Sequence, residues 1–489
     1  MSAETASDVG ILGAGVSGIL MGMQLRRAGL HDFIIHERLA DVGGTWFRNT
    51  WPGLCCDVPS HLYSYSFAPN PDWSQLYADQ AEIQRYLRAC ADRHDLPRQT
   101  RFSTTVESAR FDEDTCTWLL EDSAGNRTRH RMVVSATGGL TEPNLPRIGD
   151  FEDYRGIYWH SGAWRHDVDL AGKRVAVVGS AASAVQVVPQ VARRAAHLTV
   201  YQRSPNWMLP RNNRPYTDTE RAAFAADPGV WRRHWRDLYR RSMLWHRVYS
   251  RIPRGVEELR RTCLDQMRAA IPDPARRALL TPDYEPGCKR ILVSDDYYPA
   301  FALPHVDLVA SGVTAMTPTG IASADGQRRD FDVVIFCTGY KLGGRADGRP
   351  AVEVYGRDGL RLANAIARRP EQYRGIATPG FPNWFTICGI NGSAAYTSLF
   401  ASAEIHAEFI ARMAGRIIGG ELRSIEPDAD ATTAYSAALQ ERLQRMSWAG
   451  DCTNFYKNRA GRILSFHPGT AGEMRRDLRS DDGSGWHVA

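Results

Sequence analysis

An α/β fold of two parallel-sheet domains with a helical insertion is what this sequence predicts, and three observations predict it. An apolar strand, a glycine-spaced turn and a helix follow one another near the N-terminus. The same succession recurs from Lys173 onward. From Tyr216 to Glu285 the pattern changes to arginine-rich segments carrying aromatic and leucine residues at helical spacing. The predicted division is 1–145 with 341–489 for the first domain, 146–212 with 286–340 for the second, and 213–285 for the insertion.

Residues 8–12 read as a short buried strand, followed by a turn at Gly13, Gly15 and Gly18. In a Rossmann-like dinucleotide site the first glycine allows the tight turn, the second lets backbone approach a pyrophosphate, and the third lets the helix pack on the strand. The helix N-terminus adds unpaired N–H groups and a positive dipole end. A second strand, Phe33–His36, delivers Glu37 nineteen residues after Gly18. A carboxylate there accepts hydrogen bonds from both hydroxyls of an unphosphorylated adenosine ribose, which suits FAD.

Residues 173–179 give the second strand and its turn, with Gly179, Ser180, Ala181, Ser183 and Ala184 opening an Ala- and Val-rich helix. Ala181 stands where a second glycine is usual, and its methyl narrows the approach to a pyrophosphate without closing it. The next strand, 198–202, ends in Arg203 and Ser204, where Glu37 ended its counterpart. A guanidinium with a hydroxyl suits a ribose 2′-phosphate, because arginine meets phosphate oxygens in a two-pronged geometry. NADPH is therefore expected in preference to NADH, a solvated surface arginine being the alternative. Two dinucleotides on one chain imply a flavoprotein supplied by a nicotinamide.

In the insertion, Trp231, Trp235, Leu238, Trp245 and Tyr249 fall near one helical face, so two or three helices are expected to pack as a lid with their charges in water. Pro286 and Gly287 end it. Strands at Val306–Val309 and 332–336 follow, the latter running into Thr338, Gly339 and Tyr340. Residues 132–136 end the same way in Thr137 and Gly138, so crossovers between the domains are expected near 140 and 340.

Composition narrows the function classes. A chain of 489 residues, 43% hydrophobic, can bury more than one core. Its net charge of +5 is small and dispersed, which argues against nucleic acid as a partner. The longest apolar stretch, 175–192, is broken by Gly179, Gln186 and Pro189, so no membrane insertion is expected. The polar N-terminus runs straight into the first strand, which predicts a cytoplasmic protein without a targeting segment. Nine cysteines and 14 histidines show no paired or ligand-like spacing, so neither a disulfide framework nor a metal site is expected.

Between the two turns stand Tyr154, Gly156, His160 and Trp164. This block resembles the fingerprint of the class B flavoprotein monooxygenases, and within them the Baeyer–Villiger monooxygenases, a resemblance that runs over almost the whole chain. Two positions depart from it: Tyr154 replaces a usual phenylalanine, and Arg165 a usual proline or aspartate. Gly43, Gly44, Thr45 and Trp46, followed by Pro52, Gly53, Cys56, Asp57, Tyr63, Tyr65 and Phe67, resemble the family's flavin-side loop. Gly287, Cys288, Lys289 and Arg290, followed by Asp295, Asp296, Tyr297 and Tyr298, resemble its arginine-bearing segment. The resemblance implies that Asp57 is the active-site acid, that Arg290 lies beside the flavin, and that Lys289 joins Arg203 and Ser204 on the 2′-phosphate. Val106, Thr137 and Gly138 complete the candidate cofactor contacts.

The activity so implied takes a small ketone, NADPH and O2 and, through a flavin peroxide, inserts one oxygen next to the carbonyl to give an ester or lactone. Arg290, permanently cationic, would stabilise the peroxide anion and the tetrahedral oxyanion that follows it, with Asp57 holding the guanidinium in place. An ordinary buried ion pair is the alternative reading of these two residues. A flavin monooxygenase that oxidises nitrogen or sulfur shares both turns without needing the arginine, and a non-catalytic nucleotide binder needs neither residue. The resemblance implies no oligomeric state. Residues 390–398, and Phe455 and Tyr456 where Trp-Tyr is common, depart from the family on its substrate side.

Overall fold

The computed structural model describes residues 4–149, 151–341, 350–481 and 483–489. Residues 1–3 and 342–349, which the sequence division gives to the first domain, lie outside those described.

The first sheet has eight strands. At its centre Thr5–Leu12 pairs in parallel with Phe33–His36 on one side and Arg127–Ser135 on the other. Val9, Ile11, Met132 and Val134 are fully buried there, as expected of parallel strands covered on both faces. The first strand is longer than the sequence indicated, because Thr5, Ala6 and Ser7 continue the ladder against Thr128, Arg129 and His130. Val106–Asp112 and Thr117–Asp122 extend the sheet in antiparallel fashion. Two late segments, Glu353–Tyr355 and Trp384–Thr386, return to it as parallel strands. Helix Val16–Arg27 covers one face and is covered in turn by Leu399–Ile418, whose alanines let the two helices approach.

The second sheet has five parallel strands in the order Val306–Val309, His197–Tyr201, Arg174–Val178, Val333–Phe336 and Ile157–His160. Val175, Val177, Val333 and Ile335 are fully buried, and helix Ala182–Ala192 packs over them.

The insertion has four helices, Asp218–Ala226, Pro228–Tyr249, Pro253–Ala270 and Pro274–Leu280, where two or three were expected. The last three each begin on a proline, whose missing N–H falls where the helix has no acceptor for it. Of the predicted stripe, Leu238 and Tyr249 are buried and Trp231 donates its indole N–H to His61 Nδ1 at 3.0 Å. Trp235 instead stacks on Tyr239 of its own helix. Tyr249, Leu259 and Cys263 share a core with Leu439, Leu443, Trp448 and Tyr456 from the C-terminal part of the chain.

The cysteine reading needs correction. Cys288 and Cys452 form a disulfide across 164 residues of sequence, and the other seven cysteines are free. Spacing rules detect pairs that lie close in sequence, whereas tertiary packing brings this pair together. Among the described residues no helix is long and apolar enough to cross a membrane.

Candidate active site

The first turn is forced by backbone packing. Gly13 has φ +102°, and a Cβ there would stand 2.8 Å from the Ala136 carbonyl oxygen. A Cβ on Gly18 would overlap the carbonyl oxygen of Gly13, and one on Gly44 would come within 2.9 Å of Gly15 Cα. Helix Val16–Arg27 starts without a side-chain cap, which leaves its first N–H groups for an anion. Glu37 is buried, its Oε2 accepting the Ala14 N–H at 2.6 Å and its Oε1 that of Leu39 at 2.8 Å. Burial raises its pKa and the two N–H groups oppose the rise. Each oxygen keeps a lone pair for a hydroxyl. The Thr104 N–H bonds the Glu37 carbonyl at 2.8 Å, and Val106 begins the next strand two residues on. Thr137 lies beside Gly13, and Gly138, at φ +68°, follows it. A cradle without Cβ atoms, an uncapped helix and a fixed carboxylate together fit a dinucleotide.

The second turn repeats the plan. A Cβ on Gly179, at φ +123°, would run into the Cys337 carbonyl oxygen, and helix Ala182–Ala192, with Ser183 and Ala184 in its first turn, is also uncapped. Ala181 is its N-cap residue. Ser180 Oγ donates to the Ser204 carbonyl at 3.0 Å. Lys289 Nζ donates to Ser204 Oγ at 2.7 Å and lies 4.6 Å from the centre of the Tyr284 ring. Burial, and then the charge of Arg203, lower the Lys289 pKa. Arg203, Ser204 and Lys289 line one cleft of about 740 Å³. Two cations and a hydroxyl there suit a phosphate dianion.

Arg290, the residue after Lys289, engages a different partner. Its Nε donates to Asp57 Oδ2 at 3.0 Å, and its Nη2 donates to the same oxygen, closing a separation of 233 residues. Burial raises the Asp57 pKa, but the charge and hydrogen bonds of Arg290 outweigh it, and the net shift is downward. Asp57 raises the Arg290 pKa further. Asp57 and Arg290 keep 30% and 42% of their side-chain surface exposed. The hydroxyls of Tyr63, Tyr249 and Tyr456 lie within electrostatic reach of the pair. Burial pushes all three upward, Tyr249 to about 12, so they stay neutral at neutral pH. Helix Thr45–Arg48, entered from Gly44, places Trp46 so that its indole N–H meets the Tyr63 hydroxyl at 3.0 Å.

The block at 154–164 flanks and includes strand Ile157–His160 at the edge of the second sheet. Tyr154 donates to the Phe331 carbonyl at 2.9 Å, and a Cβ on Gly156 would meet the Asp332 carbonyl at 2.8 Å. His160 Nδ1 accepts the Gly162 N–H at 3.0 Å, and its ring meets that of Tyr340 edge-on. Tyr340 in turn donates to Asn49 Oδ1 at 2.9 Å. Burial, and then Arg48, bring the His160 pKa down to about 4. Trp164 packs edge-on against Trp159. These residues join the strand end of the second sheet to the loop after Trp46.

Sequence reasoning missed Arg211. Its Nη1 donates to Cys55 Sγ at 2.8 Å and its Nη2 to the Val293 carbonyl at 3.1 Å. One guanidinium thus joins the loop that ends in Asp57 to the strand that follows Arg290. No sequence signal marked it, because only the tertiary pairing of Met208–Leu209 with Leu292–Val293 brings it there. Tyr249 and Tyr456 were noticed as packing or family positions, and not as neighbours of Arg290.

The sequence profile of the flavin-binding monooxygenase-like family matches residues 6–218. A Baeyer–Villiger monooxygenase of Streptomyces coelicolor is 38% identical over 97% of this chain and 91% of its own length. Another, from Pseudomonas aeruginosa, is 38% identical over 98% of this chain and 91% of its own. Among solved structures, OTEMO in complex with FAD and NADP superposes with a TM-score of 0.88 at 26% identity, over 100% of both chains. A closed cyclohexanone monooxygenase gives a TM-score of 0.87 at 27% identity, also over 100% of both.

Proposed function

This chain belongs to the Baeyer–Villiger monooxygenases of the flavin-binding monooxygenase-like family, and from that premise we propose how its residues divide the work. It is an FAD- and NADPH-dependent enzyme that uses O2 to insert one oxygen atom next to a ketone carbonyl, giving an ester or lactone. Bound FAD, reduced by NADPH, supplies the activated oxygen.

We assign FAD to the first turn, with Gly13, Gly15, Gly18, Glu37, Gly44, Thr45, Trp46, Tyr63, Val106, Thr137 and Gly138 around it, and domain 1–145 with 341–489 as its holder. NADPH is assigned to Gly179, Ser180, Ala181, Ser183 and Ala184, with its 2′-phosphate on Arg203, Ser204 and Lys289, in domain 146–212 with 286–340. Residues 213–285 contribute Tyr249 to the wall beside Arg290. Arg290 keeps its charge at any working pH, so it can stabilise an oxyanion on the substrate carbon without a proton transfer. Asp57 aligns that guanidinium and lowers its freedom. We assign Tyr154, Gly156, His160 and Trp164 to the joint between the domains. The protein is proposed to act in the cytoplasm.

The observation that carries the assignment is the Asp57–Arg290 contact, since it joins the two family segments across 233 residues of sequence. Anaerobic NADPH should bleach the bound flavin, and subsequent O2 with a ketone should yield one ester per NADPH consumed. Oxidation of amines and sulfides alone, across a broad ketone panel, would instead favour the heteroatom-oxidising reading.

A further inference from the structure

We propose that the Cys288–Cys452 cystine is a thiol–disulfide exchange site, taking dithiol reductants, whose state sets how well the 2′-phosphate cleft holds NADPH. The inference rests on the assignment of that cleft to NADPH.

Both half-cystines line the cleft that contains Arg203, Ser204 and Lys289. Cys288 immediately precedes Lys289, so the bond is one residue from the cleft's half-buried cation and two from Arg290. Its other end lies in 450–453, which also lines the cleft. The crosslink therefore ties one lining segment covalently to the other. Beyond Cys452, Asn454 Nδ2 donates to the Cys288 carbonyl at 2.9 Å and to the Trp448 carbonyl at 3.2 Å, while its Oδ1 accepts the Tyr456 N–H at 3.0 Å. The same loop thus carries the phosphate-side wall and Tyr456, which faces Arg290. With the bond open, the covalent tie is gone and 450–453 keeps the hydrogen bonds of Asn454 and of Lys457 Nζ to Gly450 between the packed Trp448 and Tyr456, so ordering of the cleft falls more to its ligand.

The two sulfurs differ in access. Cys288 is 1% exposed, whereas Cys452 is half-buried on the cleft side. A reductant thiolate attacks Cys452 Sγ, the S–S bond breaks, and Cys288 leaves as a thiolate that takes up a proton. The second thiol of the reductant then displaces Cys452. The protein gains two electrons and ends with two thiols, and the reductant ends as a disulfide. Exchange with an oxidised dithiol or glutathione disulfide reverses the step. In a reducing compartment, disulfides are rare and, when present, usually transient and catalytic or redox-sensing.

The FAD-loaded enzyme supplies the test. Enzyme equilibrated with glutathione disulfide, unfolded and alkylated, should show seven reactive thiols of its nine cysteines, with 288 and 452 linked in the peptide map. After dithiothreitol all nine should react. In the native enzyme, dithiothreitol should raise KM for NADPH roughly three- to tenfold, the cost of a docked wall populated a tenth to a third of the time, with FAD content unchanged. C288S/C452S should have the higher KM and ignore dithiothreitol. Nine thiols after equilibration with glutathione disulfide would overturn the proposal, as would an unchanged KM in reduced wild type. A KM response to dithiothreitol of equal size in the double variant would overturn it too. The thiol count does not depend on turnover, so its failure is distinguishable from failure of the oxygenase reading.

Discussion

Replacing Lys289 by alanine should cost the enzyme its preference for NADPH while leaving NADH nearly untouched. Lys289 Nζ is fixed by Ser204 Oγ at 2.7 Å and by the Tyr284 ring, so little side-chain freedom is lost when a phosphate arrives. A charge-assisted contact of this kind contributes roughly 1.5–3 kcal/mol, and about 1.4 kcal/mol is a factor of ten in affinity. KM for NADPH should therefore rise roughly ten- to a hundredfold. Arg203 is exposed, where salt screens it, so Arg203→Ala belongs at the lower end of that range. Because burial and Arg203 lower the Lys289 pKa, the NADPH preference should also fade on the alkaline side earlier than an ordinary lysine, near about 10.4, would give. Anaerobic flavin reduction, followed against NADPH and NADH for wild type and both variants, reads the effect directly. Equal losses with the two nicotinamides would refute the phosphate assignment and make the residues structural.

Gly18→Ala should yield protein that cannot keep FAD, because its Cβ would overlap the Gly13 carbonyl oxygen; a yellow preparation after desalting would contradict this. Asp57→Ala should be reduced by NADPH within a few-fold of wild type yet lose roughly a hundredfold in ester formation, the order for a lost oxyanion contact. Arg290 depresses the Asp57 pKa below its ordinary 3.8, so the pair is intact above that value and is lost only as pH falls through the lower one. The acid limb of ester formation should accordingly carry no Asp57 titration between about pH 5 and 7, and one that vanishes in Asp57→Ala would count against the pairing. Arg211→Ala should leave flavin reduction intact and raise the hydrogen peroxide released per NADPH, with Arg211→Lys partly restoring coupling. Unchanged coupling in Arg211→Ala would show that its contacts to Cys55 and Val293 are dispensable.

The two glycine turns were legible because backbone clashes write them into single positions. Gly13, Gly18 and Gly179 are each hemmed in by a carbonyl oxygen that excludes a side chain, and the acid or arginine at the next strand end follows at a fixed distance. Arg290 was legible only through its resemblance to a family segment, since its contact with Asp57 spans 233 residues. Arg211 and the Cys288–Cys452 bond left no periodic or spaced trace, because tertiary packing alone creates them. The helix count in the insertion failed for a local reason. Asp227 and Pro228 end one helix and start another with no intervening loop, so the periodic pattern runs on where the chain turns.

Product accounting for Arg290→Ala tests the central claim most directly. The variant should bind FAD, be reduced by NADPH, and return almost all of its electrons to O2 as hydrogen peroxide. Its ester formation should fall at least about 100- to 1,000-fold. Ketone oxidation at the wild-type rate in Arg290→Ala would contradict the claim that this guanidinium stabilises the oxygen-insertion step.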